Sequence, residues 1–168
     1  MLGSEMIARR KKQRNAWRKF LNESAPNYCL TLTFSPSMSF ERASREIDRF
    51  HKRILRELLG RRYYKKHNQP FGIAFTEYAS TPFHASKLGA PHFHILYWIP
   101  EHLEATLKAI DIGLLWLQLN MASNRSAYLD EITQKQARTI NYVTKDFPVA
   151  PLDHEFIILG KPERYTTD

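Results

Sequence analysis

Alternation of apolar and polar residues predicts the first strand of this chain. Within residues 28–34, Leu30, Leu32 and Phe34 share one face, and Thr31 and Thr33 share the other. Further runs of β-forming residues predict strands over 71–78, 91–99, 125–132 and 155–160. The strands over 71–78 and 91–99 are expected to form an antiparallel pair across the polar segment 79–90.

A helical period between residues 40 and 59 predicts a long amphipathic helix, with Ser39 as its N-cap and Gly60 just beyond its end. Further helices are predicted over 101–120, with Gly113 as a point where this one could divide, and over 133–145. The order β-α-β-β-α-β-α-β predicts an α+β fold. In it, a central antiparallel sheet of about five strands is flanked by helices, unlike a parallel doubly wound fold.

Length and composition predict one domain with a single substantial core. The chain has 168 residues, of which 43% are hydrophobic and 25% charged. We expect a basic helical extension over 1–27, the main domain over 28–160 and a tail over 161–168. No apolar run reaches the roughly 18–20 residues of a membrane span, and no secretory signal is recognisable. The lone Cys29 excludes an internal disulfide and a cysteine-rich zinc site.

A net charge of +8 predicts a polyanionic partner, most simply nucleic acid. Positive residues cluster in segments 9–18, 53–56 and 61–66. The last segment interleaves bases with two tyrosines, a composition suited to phosphate contacts and base stacking. A solvated loop with half-buried tyrosines would explain the same composition. The candidate DNA-binding residues of this segment are Arg61, Arg62, Lys65 and Lys66.

Two histidines spaced by one residue are the sharpest chemical signal. On a strand, His92 and His94 would project from the same face, roughly 6.5–7 Å apart at Cα, and could bind one divalent ion. Glu77, at the end of the neighbouring predicted strand, is the leading third ligand, and His84 is the competing one. One carboxylate with two imidazoles suits Mn²⁺ or Mg²⁺.

A tyrosine and a lysine share one face of the last predicted helix, because Tyr142 and Lys145 are three residues apart. A phenol with a pKa near 10 is a poor nucleophile at neutral pH. A neighbouring ammonium would favour the phenolate or neutralise charge in the transition state of a phosphoryl transfer.

Taken together and in this order, these segments resemble the motifs of the HUH endonucleases, whose name denotes His-hydrophobic-His. Residues 30–34 resemble the first, strand-forming motif; residues 91–96 match the metal motif; residues 142–146 match the nucleophile motif. Because a single tyrosine follows the histidines, the chain resembles the single-tyrosine initiators of rolling-circle plasmids, phages and small single-stranded DNA viruses. The resemblance implies a ferredoxin-like or RRM-like sheet.

The resemblance also implies a mechanism on single-stranded DNA. Glu77, His92 and His94 would hold Mn²⁺ or Mg²⁺. Tyr142, assisted by Lys145, would cut the strand and leave a 5′-phosphotyrosine and a free 3′-hydroxyl. The basic segment 61–66 and Arg138 would contact the DNA. No Gly-x-x-x-x-Gly-Lys-Ser/Thr segment is present, so a separate helicase is an expected partner. The expected location is the host cytoplasm, or the nucleus if the source is a eukaryotic virus.

Three other functions remain open. Transposases of the same family also carry one tyrosine after the histidines. A non-catalytic nucleic-acid-binding module on an RRM-like sheet would explain the charge and the aromatic residues. A zinc-dependent hydrolase could use His84, His92 and His94. Only the first shares with the replication initiators a use for Tyr142.

Overall fold

The strands and helices follow the predicted order. The computed structural model describes residues 2–34, 38–77, 92–119, 127–133, 136–145 and 156–161. The strands are β1 (Tyr28–Thr33), β2 (Phe71–Glu77), β3 (His92–Trp98), β4 (Ala127–Glu131) and β5 (Phe156–Leu159). The helices are α1 (Leu2–Ser24), α2 (Phe40–Leu59), α3 (Glu101–Ala109), α4 (Ile112–Leu117) and α5 (Gln136–Val143). A short 3₁₀ turn spans Tyr63–Lys65. Within these ranges, no helix combines the length and the apolar character needed to cross a membrane.

The five strands form one antiparallel sheet in the order β4-β1-β3-β2-β5. The first four strands and the helices between them have the β-α-β-β-α-β connectivity of ferredoxin-like folds, and β5 extends the sheet beyond β2. The predicted antiparallel pairing of β2 with β3 is confirmed. The α+β fold class with a central antiparallel sheet is likewise confirmed.

Each face of the sheet is covered by its own set of helices. Apolar side chains of α2, α3 and α4 pack on the face that carries Leu30, Leu32 and Phe93, around the fully buried Trp116. The opposite face carries Thr31, Phe75 and His94, and α1 and α5 pack on it through a smaller core. The alternation of β1 therefore separates the main core from the face that carries the polar residues.

The ends of the helices follow from local capping. The Ser39 hydroxyl accepts a hydrogen bond from the Arg42 amide at 3.3 Å, and Gly60 follows α2 with φ +83°, as predicted. Gly113 does not divide the next helical segment, because it lies inside α4. The break falls at Ile110 and Asp111. The Asp111 carboxylate accepts a hydrogen bond from the Leu114 amide at 2.8 Å and starts a new helix there.

A buried histidine links α2 to the sheet. His51 Nδ1 lies 3.1 Å from the Tyr97 hydroxyl, and the two rings stack at a centroid distance of 5.8 Å. Its Nε2 atom is buried without a hydrogen-bond partner among the described residues. Burial lowers the pKa of His51 to about 4; Asp48 opposes this shift and Lys52 adds to it. The imidazole is therefore neutral in the folded protein at neutral pH.

This burial predicts a loss of stability on acidification. Below a pH of about 6.5 the unfolded chain protonates His51, whereas the folded protein does not until about pH 4. The free energy of unfolding should therefore fall across this window by about 3 kcal/mol more in the wild type than in His51→Phe, which keeps an aromatic ring and cannot titrate. Urea unfolding at a series of pH values measures both slopes. Equal slopes would show that His51 is not held neutral.

Candidate active site

Strand register places the predicted ligands on one face of the sheet. Glu77 is directly opposite His92, and Phe75 is opposite His94. On the other side of β3, His92 is opposite Thr33 and His94 is opposite Thr31. Opposed residues of an antiparallel pair point to the same side. Glu77, His92 and His94 therefore share the face on which α1 and α5 pack, at the end of β2 where the strand finishes.

The Glu77 carboxylate accepts hydrogen bonds from side chains of β3 and from the end of α5. His94 Nε2 lies 2.7 Å from Oε2, and the Tyr142 hydroxyl lies 3.1 Å from Oε1. The Lys145 ammonium also donates to Oε1 and forms an ion pair with the carboxylate. Glu77 thus joins the histidine strand to the tyrosine and the lysine, which lie 65 and 68 residues farther along the chain.

These contacts keep the carboxylate charged. Burial is the largest single influence and would raise the pKa of Glu77, but hydrogen bonds and electrostatic attraction from His94 and Lys145 outweigh it. The result is a pKa of about 2. Burial of the Lys145 ammonium lowers its pKa, and its bonds to Glu77 and Tyr142 more than compensate, so the pKa is raised overall. At neutral pH the site holds a carboxylate next to an ammonium.

Tyr142 is the accessible member of the cluster. Its side chain is 48% exposed, whereas His94 is 7% exposed. The Lys145 Nζ atom lies 3.8 Å from the centroid of the Tyr142 ring, and the His94 ring meets that ring edge-on at 5.2 Å. A large substrate can therefore reach the phenol, while its neighbours hold the ring in place.

Thr31 orients His94 from behind. The Thr31 hydroxyl lies 3.1 Å from Nδ1, on the side of the ring away from Glu77. A hydroxyl can donate or accept, so Thr31 can satisfy Nδ1 in either tautomer. When Nδ1 carries the proton, the Nε2 lone pair is left for a cation beside Oε2 of Glu77. One imidazole and one carboxylate in contact are a donor set that suits a divalent ion.

The third predicted ligand stands apart from this pair. His92 is half-buried and opposite Glu77 in register. In the part of the chain that the structure describes, no three His, Cys, Asp or Glu side chains gather closely enough to hold a metal. Two of the three predicted ligands are thus in contact, and His92 lies on their face beside them. His84 lies outside the described residues.

The predicted DNA-binding residues fall into two places. Arg138 is exposed on α5, one turn before Tyr142 and on the same side of the helix. Arg61, Arg62, Lys65 and Lys66 are exposed at the other end of β2, where Gln69 holds their loop through the Tyr63 and Lys66 carbonyls at 2.8 Å. Because β2 is seven residues long, about 20 Å separates this loop from Glu77. The structure does not bring this cluster to the site.

Two residues that the sequence did not single out support the site. Thr31 could have been found from the alternation, since it lies on the polar side of β1. Arg18 of α1 donates from Nε to the Thr144 hydroxyl at 3.0 Å and from a terminal nitrogen to the Asn141 carbonyl at 3.2 Å. It thereby satisfies a carbonyl in the last turn of α5, between Tyr142 and Lys145. Its membership of a basic segment gave no sign of this role.

Comparison with known families agrees with this geometry. Residues 27–147 match the model of a family of replication-associated proteins of the ORF2 type. The match covers well over half of the chain, which therefore belongs to this family. Membership supports a role in the initiation of replication. Comparisons with curated proteins and with solved structures each found no significant match.

The contact between Arg18 and α5 predicts a local effect on exchange. Arg18→Met keeps the apolar stem but removes both donors, so the amides of Thr144 and Lys145 should exchange with solvent about fivefold faster or more. Hydrogen exchange followed by NMR measures this. Lys19→Met is the matched control, because Lys19 is 77% exposed and pairs only loosely with Glu23 at 3.8 Å. Equal protection in the two variants would contradict a role for Arg18 in holding α5.

Proposed function

We propose that this protein is a metal-dependent endonuclease that nicks and rejoins single-stranded DNA to initiate rolling-circle replication. The single observation that carries the proposal is the meeting of the Tyr142 hydroxyl with Glu77, His94 and Lys145 at an accessible position. A structural ion pair needs no half-exposed phenol. Membership of a replication-associated family is the second support.

The chemistry is the exchange of one phosphodiester for another. The Tyr142 oxygen attacks phosphorus in line, a phosphorus–oxygen bond to the tyrosine forms, and the bond to the 3′ oxygen breaks. The phenol releases its proton and the departing 3′ oxygen takes one up, so the step is balanced without ATP. The free 3′-hydroxyl can prime synthesis, and the reverse reaction rejoins the strand.

The neighbours of Tyr142 have separable roles in this proposal. The Lys145 ammonium, 3.8 Å from the ring centroid, stabilises the developing phenolate and balances charge on phosphorus. Arg138 contacts a phosphate beside the reacting one. The loop with Arg61, Arg62, Lys65 and Lys66 binds the DNA backbone at a distance from the cut.

We further propose that Glu77 and His94, with His92 as the third ligand, hold Mn²⁺ or Mg²⁺. The bound ion polarises the phosphodiester and offsets its charge. Thr31 fixes the His94 ring by its bond to Nδ1, as partners of metal-binding imidazoles do. A separate helicase that opens the duplex, and action inside the host cell, complete the proposal.

A non-catalytic nucleic-acid-binding module explains the positive charge and the antiparallel sheet less completely. It leaves the cluster of Tyr142, Glu77 and Lys145 without a role. A transposase would use the same chemistry, but the family match is to replication-associated proteins.

The nucleophile assignment predicts a covalent product. Wild-type protein incubated with Mn²⁺ and a pool of randomised single-stranded oligonucleotides should give a protein band shifted on a denaturing gel. Trypsin should release peptide 139–145 with nucleotides attached at Tyr142. Tyr142→Phe should form no adduct and should still bind the pool in fluorescence anisotropy. An adduct that persists in Tyr142→Phe would refute the assignment.

The ligand assignment predicts metal affinity without reference to activity. Calorimetric titration with Mn²⁺ should show binding to the wild type, binding weakened at least tenfold in His94→Ala, and binding weakened about 10- to 100-fold in Thr31→Val. His102→Ala is the matched control, because His102 is exposed on α3 and lies outside the site. Chelation by EDTA should abolish adduct formation. Equal affinities in His94→Ala and His102→Ala would rule out this metal site.

A further inference from the structure

An exposed tyrosine lies on the sheet face that carries the site. Tyr128 of β4 is 62% exposed, although it is an aromatic residue in the middle of a strand. Its partner in register is Thr31, the residue that bonds His94. Tyr128, Thr31 and His94 therefore form one row across β4, β1 and β3, and all three side chains point to the same side.

This part of the face is open, whereas the rest is covered. Thr31, Thr33 and His92 are half-buried, while Phe75 and Leu96 on the same face are buried under α1 and α5. We define the open corner as Thr31, Thr33, His92 and Tyr128. Tyr142 stands next to it, because its ring contacts His94. A strand entering the site can therefore lie across this corner.

The distance suits a neighbouring nucleotide. Adjacent strands lie about 4.8 Å apart, and only β1 separates β4 from β3, so Tyr128 and His94 are about 10 Å apart at Cα. A phosphate held at Tyr142 places the next nucleotides within reach of the Tyr128 ring. Asp130, exposed on the same face farther along β4, would repel a phosphate backbone. This charge favours a path across the strands towards the site rather than along β4.

We propose that Tyr128 is a stacking platform for a base of the single-stranded DNA next to the phosphate that Tyr142 attacks. The inference rests on the proposed function and names part of its substrate site. An exposed aromatic ring on a sheet binds bases of any sequence, because every base has a π-face. The contact would hold the strand in register with Tyr142, while the basic residues bind its backbone.

The experiment separates base stacking from charge. Fluorescence anisotropy, without divalent ions, measures binding of oligodeoxythymidine and of an abasic strand of equal length. Tyr128→Ala should weaken binding of the thymidine strand about fivefold or more and leave the abasic strand unaffected. Tyr128→Phe keeps the ring and should bind as the wild type does. The salt dependence should be unchanged in Tyr128→Ala, whereas Arg138→Ala should lower the slope by about 0.7.

The matched control is Leu117→Ala. Leu117 is 53% exposed on α4, which packs on the opposite face of the sheet, so this variant should bind both strands as the wild type does. If Tyr128→Ala binds the thymidine strand like the wild type, or loses affinity for both strands equally, the stacking role is wrong while nicking by Tyr142 stands. If the wild type binds neither strand and forms no adduct with Mn²⁺, the proposed function itself fails.

Discussion

The Glu77 carboxylate is the point on which the arrangement of the site depends. It lies at the end of β2 and accepts hydrogen bonds from His94 of β3 and from Tyr142 and Lys145 at the end of α5. A carboxylate this buried is costly unless it is paired, and here two nitrogen donors hold its pKa at about 2. The same charge that needs these partners fixes the phenol against the histidine strand.

The fold serves this point from both sides. The main core under α2, α3 and α4 makes the sheet rigid, so the register of β1, β2 and β3 sets the positions of Thr31, His94 and Glu77. On the other face, α1 and α5 share a smaller core, and Arg18 ties α1 to the last turn of α5. α1 precedes the family-matched region, residues 27–147, yet it contacts the helix that carries the tyrosine.

Local patterns predicted most of the elements because they depend on neighbours in sequence. The apolar period of α2, its Ser39 cap and the alternation of β1 were all readable, and the structure confirms them. Gly113 was the wrong place to divide a helix, since the flexibility of glycine mattered less than the capping carboxylate of Asp111. The basic loop around Lys65 was readable as a charge cluster, but its distance from Glu77 was not.

By itself, the sequence determined the α+β class, the shared face of His92 and His94, and the shared face of Tyr142 and Lys145. Each of these follows from the period of a strand or a helix, which acts over a few residues. Only the tertiary structure decided that Tyr142 meets Glu77, that Arg18 holds the end of α5, and that Tyr128 lies in the row of Thr31 and His94. Such contacts join segments more than 60 residues apart, and strand order and register, which no local pattern specifies, set them.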